Sequence, residues 1–238
     1  MNRRQGLSII VMLAAIAPAL AAPPATQPAA TQPASRPAGH NFARWEKEIA
    51  AYEAQDRERP PAKGGIVFTG SSTIRGWRTL ARDFPNHNVI NRGFGGSQIV
   101  DATYYADRII LPYEPKAVFL RSGPNDIHVG KSPERVFNDF KAFVEKIHAR
   151  LPDTQIFFIG LCPVPIRWEE REANRRLNEL VREYAKRTRN VTYIEGYDMS
   201  LDKDGNVREE LFARDRLHFN AEGYRLLAEL VRPHLPKN

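Results

Sequence analysis

Residues 40–238 of this 238-residue chain are predicted to form one α/β domain, a three-layer α/β/α sandwich around a five-stranded parallel sheet. Three observations predict it. Short apolar runs alternate with longer amphipathic stretches, the pattern of βαβ units. The short runs are rich in β-branched and aromatic residues and stop at glycine or small polar residues, as buried strands do. The longer stretches repeat their apolar residues at three- and four-residue spacing, which marks one face of a helix.

Taken in chain order, residues 1–21 read as an export signal. Arg3 and Arg4 form a basic start, residues 7–16 are almost wholly apolar, and Ala19-Leu20-Ala21 has the small-x-small pattern of a signal-peptidase site. Pro18 interrupts the apolar run before it reaches the ~20 residues of a membrane span. A secreted or periplasmic protein is expected, with no stable membrane span after cleavage; a retained N-terminal anchor is the alternative. Residues 22–39 carry ATQPA twice in tandem, at 25–29 and 30–34. Proline with small polar residues buries too little apolar area to offset ordering entropy, so this segment is expected to be a disordered tether.

Strands are predicted at 66–69, 88–91, 117–120, 155–159 and 191–194. Between the third and fourth, Val136, Phe140, Phe143, Val144 and Ile147 share a helical face, and Ser132-Pro133 supplies a cap and a first-turn proline. Residues 168–187 carry Leu177, Leu180, Val181 and Tyr184 on one stripe. The last helix begins near Ala221, with Asn220 as its cap, and runs through Leu226, Leu227, Leu230 and Val231. The order of the strands in the sheet is not encoded in these patterns.

Composition narrows the function further. Cys162 is the sole cysteine, so no intrachain disulfide can form and packing must stabilise the domain. The chain has a formal charge of +7, two units of which leave with the signal. The remaining basic residues are interspersed with acidic ones, as over 167–189, which reads as a solvated helix face; no nucleic-acid partner is expected. The six histidines have no close ligand spacing, so neither a metal nor any other cofactor is expected. Asp202 to Asn206 has its glycine at the fourth place, where a calcium loop needs it at the sixth, and reads as a turn. Cys162 reads as a buried, inert thiol.

In an open parallel sheet, ligands bind beyond the carboxyl ends of the strands. Four segments place polar residues there or near the chain end: Gly70-Ser71-Ser72-Thr73, Gly93-Phe94-Gly95-Gly96-Ser97, Gly123-Pro124-Asn125-Asp126, and Asp215-Arg216-Leu217-His218. Together they deliver a hydroxyl, a glycine backbone, an amide and an Asp/His pair.

In these four blocks the sequence resembles the SGNH hydrolases, the GDSL-like lipase/esterase family, from Ile66 to about Leu230. The resemblance implies a flavodoxin-like sandwich and cofactor-free hydrolysis of carboxylic esters or of acetyl groups on sugars. It also implies Ser72 as nucleophile, Gly96 and Asn125 as the glycine and asparagine of the middle blocks, and Asp215 and His218 as the closing pair. One departure is that Ser71 stands where the family has aspartate. Residue type does not choose between Ser71 and Ser72; the resemblance selects Ser72.

Elementary chemistry is consistent with those roles. A serine hydroxyl is a poor nucleophile near neutral pH unless a base lies within hydrogen-bond reach, and imidazole titrates in the right range. Asp215 can hold one nitrogen of His218 while the other takes the Ser72 proton. The backbone N–H groups of Ser72 and Gly96, with the Asn125 amide, are expected to form the oxyanion hole. Ile74, Trp77, Phe94, Val164 and Trp168 follow strand ends and are expected to wall the substrate cleft. The expected activity is hydrolysis of short-chain acyl or acetyl esters, on small molecules or polysaccharides, through an acyl-serine. A lysophospholipase or thioesterase with the same machinery is an alternative, as is a carbohydrate-binding module that has lost activity. No motif specifies an oligomeric state.

Overall fold

A computed structural model describes residues 39–237. The expected signal over 1–21 and all but the last residue of the expected tether over 22–39 lie outside the described residues. No described helix is long and apolar enough to cross a membrane.

Five parallel strands form one sheet: β1 (Ile66–Gly70), β2 (Val89–Gly93), β3 (Ala117–Arg121), β4 (Gln155–Ile159) and β5 (Val191–Ile194), in the order β2-β1-β3-β4-β5. The helices are α1 (Glu46–Glu58), α2 (Ser72–Gly76), α3 (Leu80–Asp83), α4 (Ile99–Ile109), α5 (Pro124–His128), α6 (Pro133–His148), α7 (Arg171–Ala185) and α8 (Ala221–Val231). The predicted α/β/α sandwich is thus the observed one, and its strand order is that of flavodoxin-like sheets.

Alternation along the strands divides the core. Val67, Val118, Leu120, Ile156 and Phe158 pack with α1, α4, α6 and α7 on one face. Ile66, Phe68, Ala117, Phe119, Phe157 and Ile159 pack with α2, α3 and α8 on the other. Phe68, Phe119 and Phe157 are in register on neighbouring strands and stack in a row, with centroids 4.7 and 4.4 Å apart. Both faces are covered, which is why the strands read as continuous apolar runs.

The expected caps form. Ser132 Oγ accepts from Arg135 N at 3.2 Å, and the Asn220 side chain accepts from Glu222 N and Gly223 N. The helix expected from residue 168 starts later. A 3-10 segment, Pro165–Glu170, is broken at Arg167 (φ −124°, ψ 34°), and α7 begins only at Arg171. Helix α1 was not marked by the apolar pattern because Ile49 is its one buried residue. Arg108 of α4 anchors it through Glu46 and Glu53, each at 2.7 Å.

Candidate active site

Sheet topology places the site. The strand order reverses between β1 and β3, and a crevice opens beyond their carboxyl ends. The chain leaves β1 through Gly70 (φ +128°), where a Cβ would lie 2.1 Å from the Arg121 carbonyl oxygen of β3. Only glycine allows that approach. Ser71 N then donates to Arg121 O, and Ser72 becomes the first residue of α2.

Ser72 does not cap its helix. Its Oγ lies 2.9 Å from Nε2 of His218, whose Nδ1 lies 2.6 Å from Oδ2 of Asp215. The Asp215–His218 segment is held at its base by an antiparallel bridge between the buried residues Phe212 and Phe219. Ala213 N donates to His218 O across the loop, and Arg216 takes a left-handed conformation (φ 55°) at its tip. Oδ1 of Asp215 accepts the backbone N–H groups of Leu217 and His218, both at 3.0 Å. The His218 hydrogen bond, followed by these two, holds the Asp215 carboxyl down at about 2, so it is ionised near neutral pH. Its negative charge orients the ring with Nδ1–H toward Asp215 and Nε2 toward the hydroxyl.

Gly96 also has a positive φ (+72°), set by a turn that is tied at both sides. Phe94 N and Ser97 Oγ both donate to Gly70 O, and Trp45 Nε1 donates to Gly95 O. Asn125, on α5, donates one amide hydrogen to Ser97 O at 3.0 Å; Arg167 Nη1 donates to its Oδ1 at 3.2 Å. The amide orientation is therefore fixed, and its second N–H has no partner among the described residues. The backbone N–H groups of Ser72 and Gly96 make no hydrogen bond among the described residues. The arrangement combines a hydroxyl beside a base with free N–H donors. That combination suits attack on a carbonyl.

Two depressions flank Ser72 and His218. The smaller has about 40 Å³ open to the centre of a water molecule and runs past Asn125, Val164 and Arg167. The larger, about 440 Å³, is open and is bounded by Arg75, Arg78 and Tyr224. Of the expected cleft wall, Val164 lines the smaller depression. Ile74, Trp77 and Phe94 do not: they are interior residues, at most 1% exposed, because their side chains turn under the sheet edge. Trp77 packs edge-on against Phe68 and Phe84, tilted against Tyr224, and donates to Asp83. Trp168 is half-buried under the Arg171 guanidinium and lines neither depression.

Sequence reasoning missed four residues on the smaller depression: Arg121, Arg167, Glu170 and Asn174. Arg121 closes β3, so the strand-end rule could have found it. It is buried, donates to Gly160 O and, at 3.2 Å, to Cys162 Sγ. No described residues form a cluster able to hold a metal. Asp202 instead accepts the backbone N–H groups of Asp204 and Asn206, closing a turn.

The model of the GDSL-like lipase/acylhydrolase family matches residues 62–226. The bovine (Bos taurus) platelet-activating factor acetylhydrolase IB subunit alpha1 is 27% identical, over 76% of this chain and 78% of that protein. A structure described as a putative platelet activating factor from Streptococcus pneumonia superposes with a TM-score of 0.73 at 22% identity, covering 82% of this chain and 94% of that one. A Geobacillus acetyl-xylooligosaccharide esterase superposes with a TM-score of 0.58 at 15% identity, covering 74% and 97%. The match of fold, motif order and family model leads to one conclusion: the chain belongs to the GDSL-like lipase/acylhydrolase family and is a hydrolase of ester bonds.

Proposed function

We propose that this protein is an exported esterase that removes short acyl groups, acetyl foremost, through an acyl-Ser72 intermediate. The observation that carries the reading is the continuous chain from Ser72 Oγ to His218 Nε2 (2.9 Å) and from His218 Nδ1 to Asp215 (2.6 Å). Ser72 Oγ attacks the ester carbonyl carbon while Nε2 takes its proton. The negative oxygen is received by the N–H groups of Ser72 and Gly96 and the free N–H of Asn125. As the tetrahedral adduct collapses, His218 returns the proton to the departing alcohol. Water, deprotonated by the same imidazole, then attacks the acyl-serine and releases the acid.

The size of the smaller depression supports a short acyl group. Its ~40 Å³ holds a few water-sized groups, about the bulk of an acetyl, since one water needs ~10–15 Å³ on this measure. The names of the bovine relative and the Geobacillus structure point the same way, one an acetylhydrolase and the other an acetyl-xylooligosaccharide esterase. The wider, open depression gives a bulky alcohol, including a sugar, room to lie outside. Export rests on the basic-apolar-small pattern of residues 1–21.

A fluorophosphonate probe with and without a chelator tests the mechanism. Chelator-resistant labelling that Ser72→Ala abolishes is expected; labelling that survives Ser72→Ala would overturn it. A p-nitrophenyl ester series should then favour acetate over octanoate, and the reverse order would point to a long-chain lipase.

A further inference from the structure

The wider depression beside Ser72 is cationic. Arg75 and Arg78 bound it together with Ser72, His218, Phe219 and Tyr224, and no carboxylate does. Arg75 stands three residues beyond Ser72 on α2, hence on the same side of that short helix. Its guanidinium carbon lies 2.8 Å from where a Cβ on Gly95 would stand. Arg44 flanks the same glycine turn, its Nη2 3.3 Å from the place of a Cβ on Gly96. Three guanidinium groups thus cluster about the nucleophile and the oxyanion turn.

Their charge is little compensated. Arg75 Nη1 donates to Glu48 at 3.0 Å, the one ion pair among the three. Arg78 is exposed, and its guanidinium has no hydrogen bond or ion pair among the described residues. Arg44 lies over the Trp45 ring, 5.1 Å from its centroid, without a carboxylate. On α4, α7 and α8, by contrast, arginines are matched: Arg108 with Glu46 and Glu53, Arg175 with Glu172, Arg225 with Glu222 and Glu229. A planar guanidinium offers paired N–H groups that fit two oxygens of a phosphate or a carboxylate. A neutral alcohol leaves those groups to water, and an ammonium is repelled by them.

We propose that Arg75 and Arg78 form a subsite for an anionic group, phosphate or carboxylate, carried by the alcohol of the ester. The enzyme is then selective for acylated alcohols that bear negative charge. The inference rests on the esterase reading above, in which the alcohol lies in this wider depression.

Two matched pairs of acetate esters separate the two anions. One pair is 3-acetoxypropyl phosphate and 3-acetoxypropan-1-ol; the other is 4-acetoxybutanoate and 4-acetoxybutanamide. At low ionic strength kcat/KM should favour the charged member of at least one pair by about 10-fold, as two exposed charge pairs of about 3-fold each would give. That ratio should fall toward one near 1 M salt, where the screening length is about 3 Å. Arg78→Gln should reduce it about 3-fold and Arg78→Glu should remove it, in protein whose melting temperature shows it folded. Equal use of both members in both pairs, or no cleavage of either pair, by enzyme that cleaves p-nitrophenyl acetate overturns the subsite. So does a ratio that salt or both Arg78 variants leave unchanged. Failure to cleave p-nitrophenyl acetate and all four esters would instead refute the esterase reading.

Discussion

Arg167 holds the Asn125 side chain from behind: its Nη1 donates to Asn125 Oδ1 at 3.2 Å, while Nδ2 of the same amide faces Ser97 O at 3.0 Å. An amide pinned at both ends needs no reorganisation when charge develops beside it, and such preorganisation is where oxyanion donors gain their effect. Asn125→Ala should therefore lower kcat about 100- to 1000-fold with KM changed little. Arg167→Met leaves the amide in place but free to turn, and should lower kcat by about 10-fold, with steady-state kinetics separating kcat from KM. A rise in KM alone would show that Arg167 only binds substrate.

The two adjacent serines make a sharp pair of controls. Ser71 occupies the cap position of α2, is 6% exposed, and its side chain bonds to nothing among the described residues. Ser72→Ala should abolish turnover and fluorophosphonate labelling, and Ser71→Ala should keep both within about 10-fold of wild type.

Asp215→Asn should lower kcat/KM by about 100-fold or more, because an amide N–H facing Nδ1 favours the wrong imidazole tautomer. The Asp215 carboxyl is held at about 2, against 3.8 when free. Its folded value lies below its unfolded one. Its hydrogen bonds therefore add stability above about pH 3.8, which is lost as pH falls through about 2. Protonation of this carboxylate should therefore add no second ionisation to the acid limb of kcat/KM above about pH 4. A slope of two, measured by pH–rate profile, would mean that the carboxylate titrates in the same range.

Two glycine substitutions should part stability from activity. In Gly93→Ala the new Cβ would sit 2.3 Å from the Arg75 backbone nitrogen, which cannot move without displacing α2; a loss of about 3 kcal/mol, or roughly 6–12 °C in melting temperature, is expected. In Gly96→Ala the nearest atom is the flexible Arg44 Nη2 at 3.3 Å, so only the positive φ costs, about 1–2 kcal/mol. Activity should nonetheless fall further in Gly96→Ala than its melting temperature suggests, since relaxing φ rotates the N–H away from the substrate.

The sheet was legible because Val67, Phe68, Val118 and Phe119 are buried whichever way they point, so each strand appears as an unbroken apolar run. Ser72, Asp215 and His218 were legible because their residue types and block order follow the family pattern, and the structure brings them within hydrogen-bond reach. What the sequence could not tell was side-chain direction. Trp77 and Phe94 follow strand ends just as Val164 does, yet they turn inward and it turns toward the crevice. Glu170 and Asn174 were hidden for a related reason. They lie in a stretch dense with Arg and Glu whose composition describes a solvated helix, and only the packing at the junction of the 3-10 segment and α7 shows that one oxygen of each is dry.

The loop closed by Phe212 and Phe219 leaves the His218 and Asp215 side chains 38% and 51% exposed. Ground-state water can therefore reach the relay between catalytic cycles. In the proposed mechanism this exposure gives water a direct approach to an acyl group on Ser72.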